Sequence, residues 1–377
     1  MKSTEQFAFR VEDLAARWKI TLFLNGVAVS GMAIVKKQMQ IGSAVVRQGG
    51  VAGVWTDEAH RKKGYASRVM WEGVSWMEKQ NYDMSILFGI SDFYHRYGYA
   101  PAFAEQSMTV SSARLQTLGA PYGSRKLKTA DLPALKRVYR QYNAGRSGMD
   151  ARREIWTPTW RMPRMGEGTT RRNGQVTVIS DPANRMKGFV VWDAQMGRLV
   201  VSEVCGVDRS ALETIGSVIG RRAKREGADD VRFCLPQDDP FLDFCRSFGY
   251  SSSANYPYNS GSMGRIVCLA SLMKKMEDVF SDRIRMSPVS WSGDLVIKTD
   301  IGTVGLQVGV NGVCVTPEPG RPQIQISQMA LTQLVMGYRA VADLAHDSEV
   351  SIPRRLWPIL DALFPKGNPY MWWTDRF

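Results

Sequence analysis

The sequence predicts an α/β (α+β) chain in which one domain occurs twice and a smaller α+β segment follows. Three observations carry that expectation. A strand, a glycine-containing basic turn and an amphipathic helix follow one another over residues 51–80. The pattern Asp-Phe-x-x-x-x-Gly-Tyr occurs twice, at Asp92–Tyr99 and at Asp243–Tyr250. Beyond residue 260 the chain changes to short strands separated by Gly and Asp.

Composition bounds the class of protein. The 377 residues, 44% hydrophobic and 23% charged, suit two or three domains with real cores. The N-terminus lacks the basic, apolar and small-residue order of a secretion signal. Its first apolar run, Ile20–Leu24, is too short to span a bilayer, so a cytoplasmic protein with no membrane partner is expected. Five cysteines without a Cys-x-x-Cys pair and three histidines far apart predict neither a disulfide framework nor a metal site. The net charge of +13 favours anionic partners. Basic residues run along the whole chain instead of clustering with aromatics, which argues against nucleic acid and leaves the phosphates of a small ligand, or plain solubility.

In chain order, residues 11–17 fit a short helix, and Lys19–Leu24 and Val27–Val35 fit a hairpin around Asn25-Gly26. Val51–Thr56 is small and β-branched enough for a buried strand. Arg61-Lys62-Lys63-Gly64-Tyr65-Ala66 is a basic turn opening a helix that ends near Gln80, with Ala66, Val69, Met70, Gly73, Val74 and Met77 on one face. The unpaired N–H groups and partial positive charge of such a start favour an anion, and Lys62 and Lys63 add full charges, so a pyrophosphate suits it. Many basic helix starts are merely solvated, and the turn alone does not decide. A second apolar strand, Met84–Ile90, follows, then a short helix opening at Asp92 and a strand at Gln106–Ser111.

This order of strand, Arg-x-x-Gly-x-Ala helix, strand and Phe-Tyr-x-x-x-Gly-Tyr resembles the acetyl-CoA core of the GNAT (Gcn5-related N-acetyltransferase) superfamily, over about 50 residues. Such domains usually open with a strand and two helices for which there is little room here, so the first domain is expected to be truncated at its front. The missing helices usually form one wall of the acceptor pocket.

After a Gly/Pro turn at Gly119–Gly123, Thr129-Ala130-Asp131-Leu132-Pro133 opens a helical run to Tyr142, with Thr129 or Asp131 as cap and Pro133 in the first turn. Strands at Gln175–Ser180, Gly188–Trp192 and Leu199–Val204 precede a helix at Arg209–Glu226. In this second copy Cys245 replaces Tyr94, and Arg209-Ser210-Ala211-Leu212-Glu213-Thr214 replaces the glycine turn. Without the glycine a backbone cannot approach a pyrophosphate closely, so the copy is expected to be degenerate, with Cys245 a buried apolar residue or, alternatively, a nucleophile. The remainder reads as one helix at Met263–Phe280, strands at Asp294–Thr299, Gly302–Val308, Gly312–Thr316 and Gln323–Ile326, a helix at Ser327–Leu344 and another around Pro353–Leu363. This layout resembles the sterol-carrier-like domain that closes the enhanced intracellular survival (Eis) acetyltransferases. The expected domains are 1–118, 119–260 and 261–377.

Acetyl transfer needs the cofactor held, its carbonyl polarised, a free amine and a protonated leaving thiol. The resemblance implies acetyl-CoA as co-substrate, no metal and an amine acceptor. It gives Val54, Trp55 and Thr56 to the pantetheine arm, Arg61, Lys62, Lys63, Gly64, Tyr65, Ala66 and Ser67 to the phosphates, and Gly89 and Ile90 to the same cleft. It makes Tyr94 the proton donor, a role that a phenol of pKa near 10 can fill at neutral pH. It also makes the terminal carboxylate of Phe377 the base, although on the residues alone an aromatic C-terminus merely packs. Aminoglycoside-acetylating relatives surround the acceptor with acidic side chains, whereas Arg376 precedes Phe377 here, so the acceptor stays open between a small amine, an aminoglycoside-like compound and a lysine side chain. Trimers or hexamers are implied in the same way. A non-catalytic carrier, with a lipid-binding tail and a retained coenzyme site, is the alternative.

Overall fold

A computed structural model describes residues 5–152, 176–193, 199–310, 312–316, 320–321 and 323–377. The expected strand start at Gln175 lies outside them. β1 (Phe7–Leu14), β2 (Arg17–Leu24), β3 (Val27–Ile41) and β4 (Ala44–Thr56) form an antiparallel meander. α1 (Tyr65–Lys79) leads to β5 (Met84–Gly89), which runs parallel to β4. Next come β6 (Ala100–Pro101), β7 (Glu105–Ser111), α2 (Ser112–Gln116), β8 (Gly123–Lys126) and α3 (Leu132–Tyr142). β9 (Val176–Ser180), β10 (Met186–Asp193) and β11 (Val200–Gly206) precede α4 (Arg209–Glu226), β12 (Asp230–Phe233), α5 (Pro240–Cys245) and β13 (Ser251–Asn255). β14 (Gly261–Ile266), α6 (Leu269–Lys275) and α7 (Glu277–Met286) follow. The last strands are β15 (Gly293–Thr299), β16 (Gly302–Gly309), β17 (Gly312–Thr316) and β18 (Ile324–Gln325), and the last helices α8 (Gln328–Met336), α9 (Val341–Leu344) and α10 (Trp357–Leu363).

These elements group into two units: Met1–Phe103 with Pro257–Pro369 and Phe377, and Ala104–Tyr256 with Tyr370–Arg376. The first holds a seven-stranded sheet, ordered β1-β2-β3-β4-β5-β14-β6, and a four-stranded one, β17-β16-β15-β18. The second holds a seven-stranded sheet, β13-β7-β12-β11-β10-β9-β8. Tandem sheets of one kind plus a third, smaller sheet agree with the expected fold class. The units do not follow consecutive sequence domains, because β7 lies in the second unit's sheet and β14 in the first's.

Several local expectations are corrected. Residues 11–17 are the end of β1, a turn at Ala15–Ala16 and the start of β2, because Phe7, Val11 and Trp18 pack on the sheet's core in a strand alternation. Met263–Phe280 is not one helix. Its first residues pair as β14 with β5, which buries Met263 and Ile266, and helix begins only at Leu269. A short apolar run cannot be assigned to helix or strand by periodicity alone. Helix Ser327–Leu344 breaks at Gly337, and of the helix expected from Asp92 only a one-turn 3-10 helix, His95–Tyr97, forms. On α1 the buried face is Tyr65, Val69, Met70, Gly73, Val74 and Met77, while Ala66 is only half-buried.

The second unit encloses a core of Phe189, Val204, Ile215, Phe233, Phe241 and Cys245, completed by Tyr370 and Trp372 of the C-terminal segment. Arg152, fully buried, donates two bonds to Glu203, at 2.7 and 2.8 Å, and others to Asp375, the shortest 2.8 Å. Its guanidinium lies 3.6 Å from the Tyr139 ring centre. Burial raises the Glu203 carboxyl, opposed chiefly by the charge of Arg152. Arg152→Met removes the cation that two buried carboxylates share, and is expected to cost about 3–5 kcal/mol in urea unfolding. A loss below about 1 kcal/mol would show that these charges are hydrated.

Candidate active site

The site grows from the place where β4 and β5 part. Their parallel register runs from Gln48↔Met84 to Val51↔Leu87, after which β4 stays on β3 while β5 pairs with β14 through Phe88↔Ser262 and Gly89↔Gly261. Just beyond the parting, the β3–β4 register shifts between Ala33↔Ala52 and Gly31↔Trp55, so β4 carries one extra residue. Gly53 takes that bulge with φ +56°. Gly53 and Val54 therefore fall outside the ladder, with backbone groups left to meet a ligand. Trp55 is 40% exposed, and its carbonyl accepts from Ser30 Oγ at 2.7 Å. The Thr56 hydroxyl lies 2.9 Å from that of Ser30.

The basic turn is built as a backbone cradle. Lys62 and Gly64 both have left-handed φ, +63° and +79°, and Gly64 is the N-cap of α1 with no side-chain cap. Alternating backbone of this kind turns successive N–H groups toward one point, the arrangement that holds anions. A Cβ added at Gly64 meets nothing within 4 Å, so space for a phosphate is open there. Arg61, Lys62 and Lys63 are exposed, and Ala66 and Ser67 lie in the helix's first turn. The Tyr65 side chain is not available to a ligand, because it is 5% exposed and packs edge-on against Phe7 at 5.6 Å. Ile90, at the end of the β5 segment, is 69% exposed.

Tyr94 and Phe377 meet β5 at consecutive residues. A Cβ on Gly89 would come within 2.6 Å of the Tyr94 ring, whereas Phe88 packs edge-on against Phe377 with centroids 5.4 Å apart. Consecutive residues of a strand face opposite sides, so the two rings lie on opposite faces of β5. The Phe377 ring also covers Gly50 of β4, where an added Cβ would approach it to 2.5 Å, and Lys37 Nζ lies 5.8 Å from its centre. Burial raises the Tyr94 phenol above its ordinary 10.0, helped by Tyr97. Tyr99 is pushed up to about 12, chiefly by burial, and its hydroxyl lies 2.7 Å from Ser85 Oγ.

Three features escaped the sequence reading. Asp57 and His60 form a pair, Nδ1 to Oδ1 2.8 Å, across the 3-10 turn Glu58–His60, and this bond is the largest influence holding the Asp57 carboxyl low. Their spacing of three residues was the available signal. Gln48 is fully buried, with both amide atoms unpartnered among the described residues, and as the second residue before Gly50 it shares the β4 face that meets Phe377. Arg376 does not face an acceptor with an open charge. It is paired with Glu105 at 3.0 Å in the second unit and lies over the Trp373 ring.

The second copy lacks this machinery for a physical reason. Asp208 caps α4, accepting from the Ala211 N–H at 2.8 Å, so a side chain occupies the place an anion would take. Cys245 is buried and burial raises its thiol, the setting of a packed cysteine and not of an activated nucleophile. Among the described residues no group of three His, Cys, Asp or Glu could hold a metal, and no helix is long and apolar enough to cross a membrane.

A parted strand pair beside a bulge, with an anion cradle at the next helix, defines an acyl-CoA-type cleft, and sequence comparison agrees: residues 2–102 match the acetyltransferase (GNAT) domain. The N-terminal domain is thus a GNAT acetyltransferase domain. Over nearly its whole length the chain has the fold of a probable N-acyltransferase from Enterococcus faecalis (18% identity, TM-score 0.78, covering 95% of this chain and 89% of that one). It is also similar to a GCN5-related N-acetyltransferase from Anabaena variabilis (16%, TM-score 0.76, 94% and 88%) and to Eis1 from Mycobacterium abscessus (16%, TM-score 0.66, 94% and 90%). No functionally curated protein matches the sequence.

Two glycine substitutions separate the parts of the site. Gly64→Ala forces a left-handed φ on a side-chain residue, at a cost of about 1 kcal/mol, and is expected to weaken coenzyme A binding in calorimetry. Gly50→Ala displaces the Phe377 ring instead, and is expected to lower turnover about a hundredfold with coenzyme affinity kept. Equal losses of affinity in both variants would contradict this division.

Proposed function

We propose that the protein is an acetyl-CoA-dependent N-acetyltransferase acting on a primary amine. The observation that carries this reading is the pair of rings on opposite faces of β5, Tyr94 against Gly89 and Phe377 against Phe88, beside the parting of β4 and β5. The bound thioester supplies an activated acyl carbon. Arg61, Lys62, Lys63 and the N–H groups of residues 64–67 hold the phosphates, and backbone groups of Val54, Trp55, Thr56, Gly89 and Ile90 align the arm.

The Phe377 carboxylate takes the proton that the acceptor ammonium must lose before its lone pair attacks. As the N–C bond forms and the C–S bond breaks, the Tyr94 hydroxyl gives its proton to the departing sulfur, and the further proton that the acylated nitrogen sheds restores the phenol. Burial keeps the phenol protonated through neutral pH, so any alkaline loss due to Tyr94 falls above its ordinary 10.0. His60, held by Asp57, is the competing base.

With Arg376 compensated by Glu105, its charge gives no reason to reject a cationic acceptor. By the same resemblance we take the four-stranded sheet with α8 to α10 as sterol-carrier-like, 1–118, 119–260 and 261–377 as the sequence domains, and a trimeric or hexameric cytoplasmic assembly.

Thiol release from acetyl-CoA with a panel of amines tests the reading. Tyr94→Phe is expected to lower kcat by about 10²–10⁴-fold, and a few residues added beyond Phe377 to abolish turnover, both with acetyl-CoA affinity intact. Full activity in the extended protein together with loss in His60→Gln would move the base to His60. No thiol release with any amine would end the proposal.

A further inference from the structure

The second unit carries a charged cavity with no place in the acyl chemistry. Arg221, Lys224 and Arg225 of α4 are spaced by three and four residues, so they share one helix face. The edge strand β8 brings Arg125 and Lys126 to the same place, and these five cations line one open cavity of about 530 Å³. Basic residues that are dispersed along the sequence are thus gathered by the fold.

No carboxylate lines the cavity. Arg125 is compensated by a two-bond contact with Asp131, at 2.6 and 2.8 Å. Among the described residues no carboxylate pairs with Lys126, Arg221, Lys224 or Arg225. Like charges at these helical spacings destabilise the helix that carries them, so a counter-anion would relieve a standing repulsion. Thr177 Oγ1, also in the lining, accepts from Trp192 Nε1 at 3.3 Å, which leaves its own hydroxyl hydrogen to donate.

We propose that this cavity binds a compact anion carrying two or more phosphate groups. Guanidinium forks match phosphate oxygens in pairs, and several cations around one space suit several negative charges better than one. The volume lies within the range of roughly 300–1,000 Å³ common to small-ligand pockets. No aromatic side chain lines it, so it lacks the stacking platform that single-stranded nucleic acid uses. The site is independent of acetyl transfer, and it would give the degenerate copy a ligand of its own.

Calorimetric titration of the full chain with tripolyphosphate tests this, in a background where Lys62→Gln and Lys63→Gln weaken the other anion cradle. Arg221→Gln, Lys224→Gln and Arg225→Gln together are expected to weaken tripolyphosphate binding at least about tenfold. Orthophosphate should bind at least about tenfold more weakly than tripolyphosphate. Lys224→Gln alone, with a loss of severalfold, serves if the triple variant does not fold. Binding unchanged in these variants, or equal affinity for both phosphates, would overturn the proposal. A short single-stranded oligonucleotide binding more tightly than tripolyphosphate at physiological salt would overturn it too, in favour of a nucleic-acid surface.

Discussion

One steric relation organises the site, the seat of the last side chain against a residue without one. Gly50 leaves room on β4 for an aromatic ring, Phe88 supplies an edge contact from β5, and Phe377 fills the space between. The contact lies on the face of the β4–β5 ladder at Gly50↔Ile86, one residue before the two parallel strands cease to pair. Strand alternation then sends Tyr94 to the other face through Gly89. Under the proposed mechanism, the terminal carboxylate beside one ring and the phenol of the other would serve as proton acceptor and proton donor at this strand end.

The two copies of the domain use the same fold for opposite electrostatic ends. In the first, α1 begins with a left-handed glycine and two lysines, and no side chain caps its N-terminal N–H groups, as the proposed phosphate site requires. In the second, α4 begins with Asp208, which satisfies such groups from within. The second unit also holds one charged cluster wholly in its interior. Arg152 shares its charge between Glu203 and Asp375 in a fully buried cluster that satisfies the cation from within.

Much of the fold and the cradle was legible in the residues. The α1 boundary near Gln80, the hairpin at Asn25-Gly26, the helix Arg209–Glu226 and the repeated Asp-Phe-x-x-x-x-Gly-Tyr all follow from local chemistry acting over a few residues. Strand partners were not legible, because β7 and β14 join sheets remote from their sequence neighbours and a ladder register has no local signature. The helix expected at Met263–Phe280 failed for that reason, since pairing with β5 decided the state of its first turn. Buried Gln48 and the Asp57–His60 pair were equally hidden, the first because burial is a tertiary property and the second because exposed acids and histidines are common in turns. The position of Phe377 came only from likeness to a family, as nothing in an aromatic terminus says which surface it meets.

The most direct measurement is of that terminus itself. Fluorine NMR of the protein carrying 4-fluorophenylalanine at position 377 reports the ring's surroundings without any substrate. A ring seated on Gly50 gives one resonance displaced from the random-coil position and shielded from a soluble paramagnet. A sharp random-coil resonance, fully relaxed by the paramagnet, would contradict it.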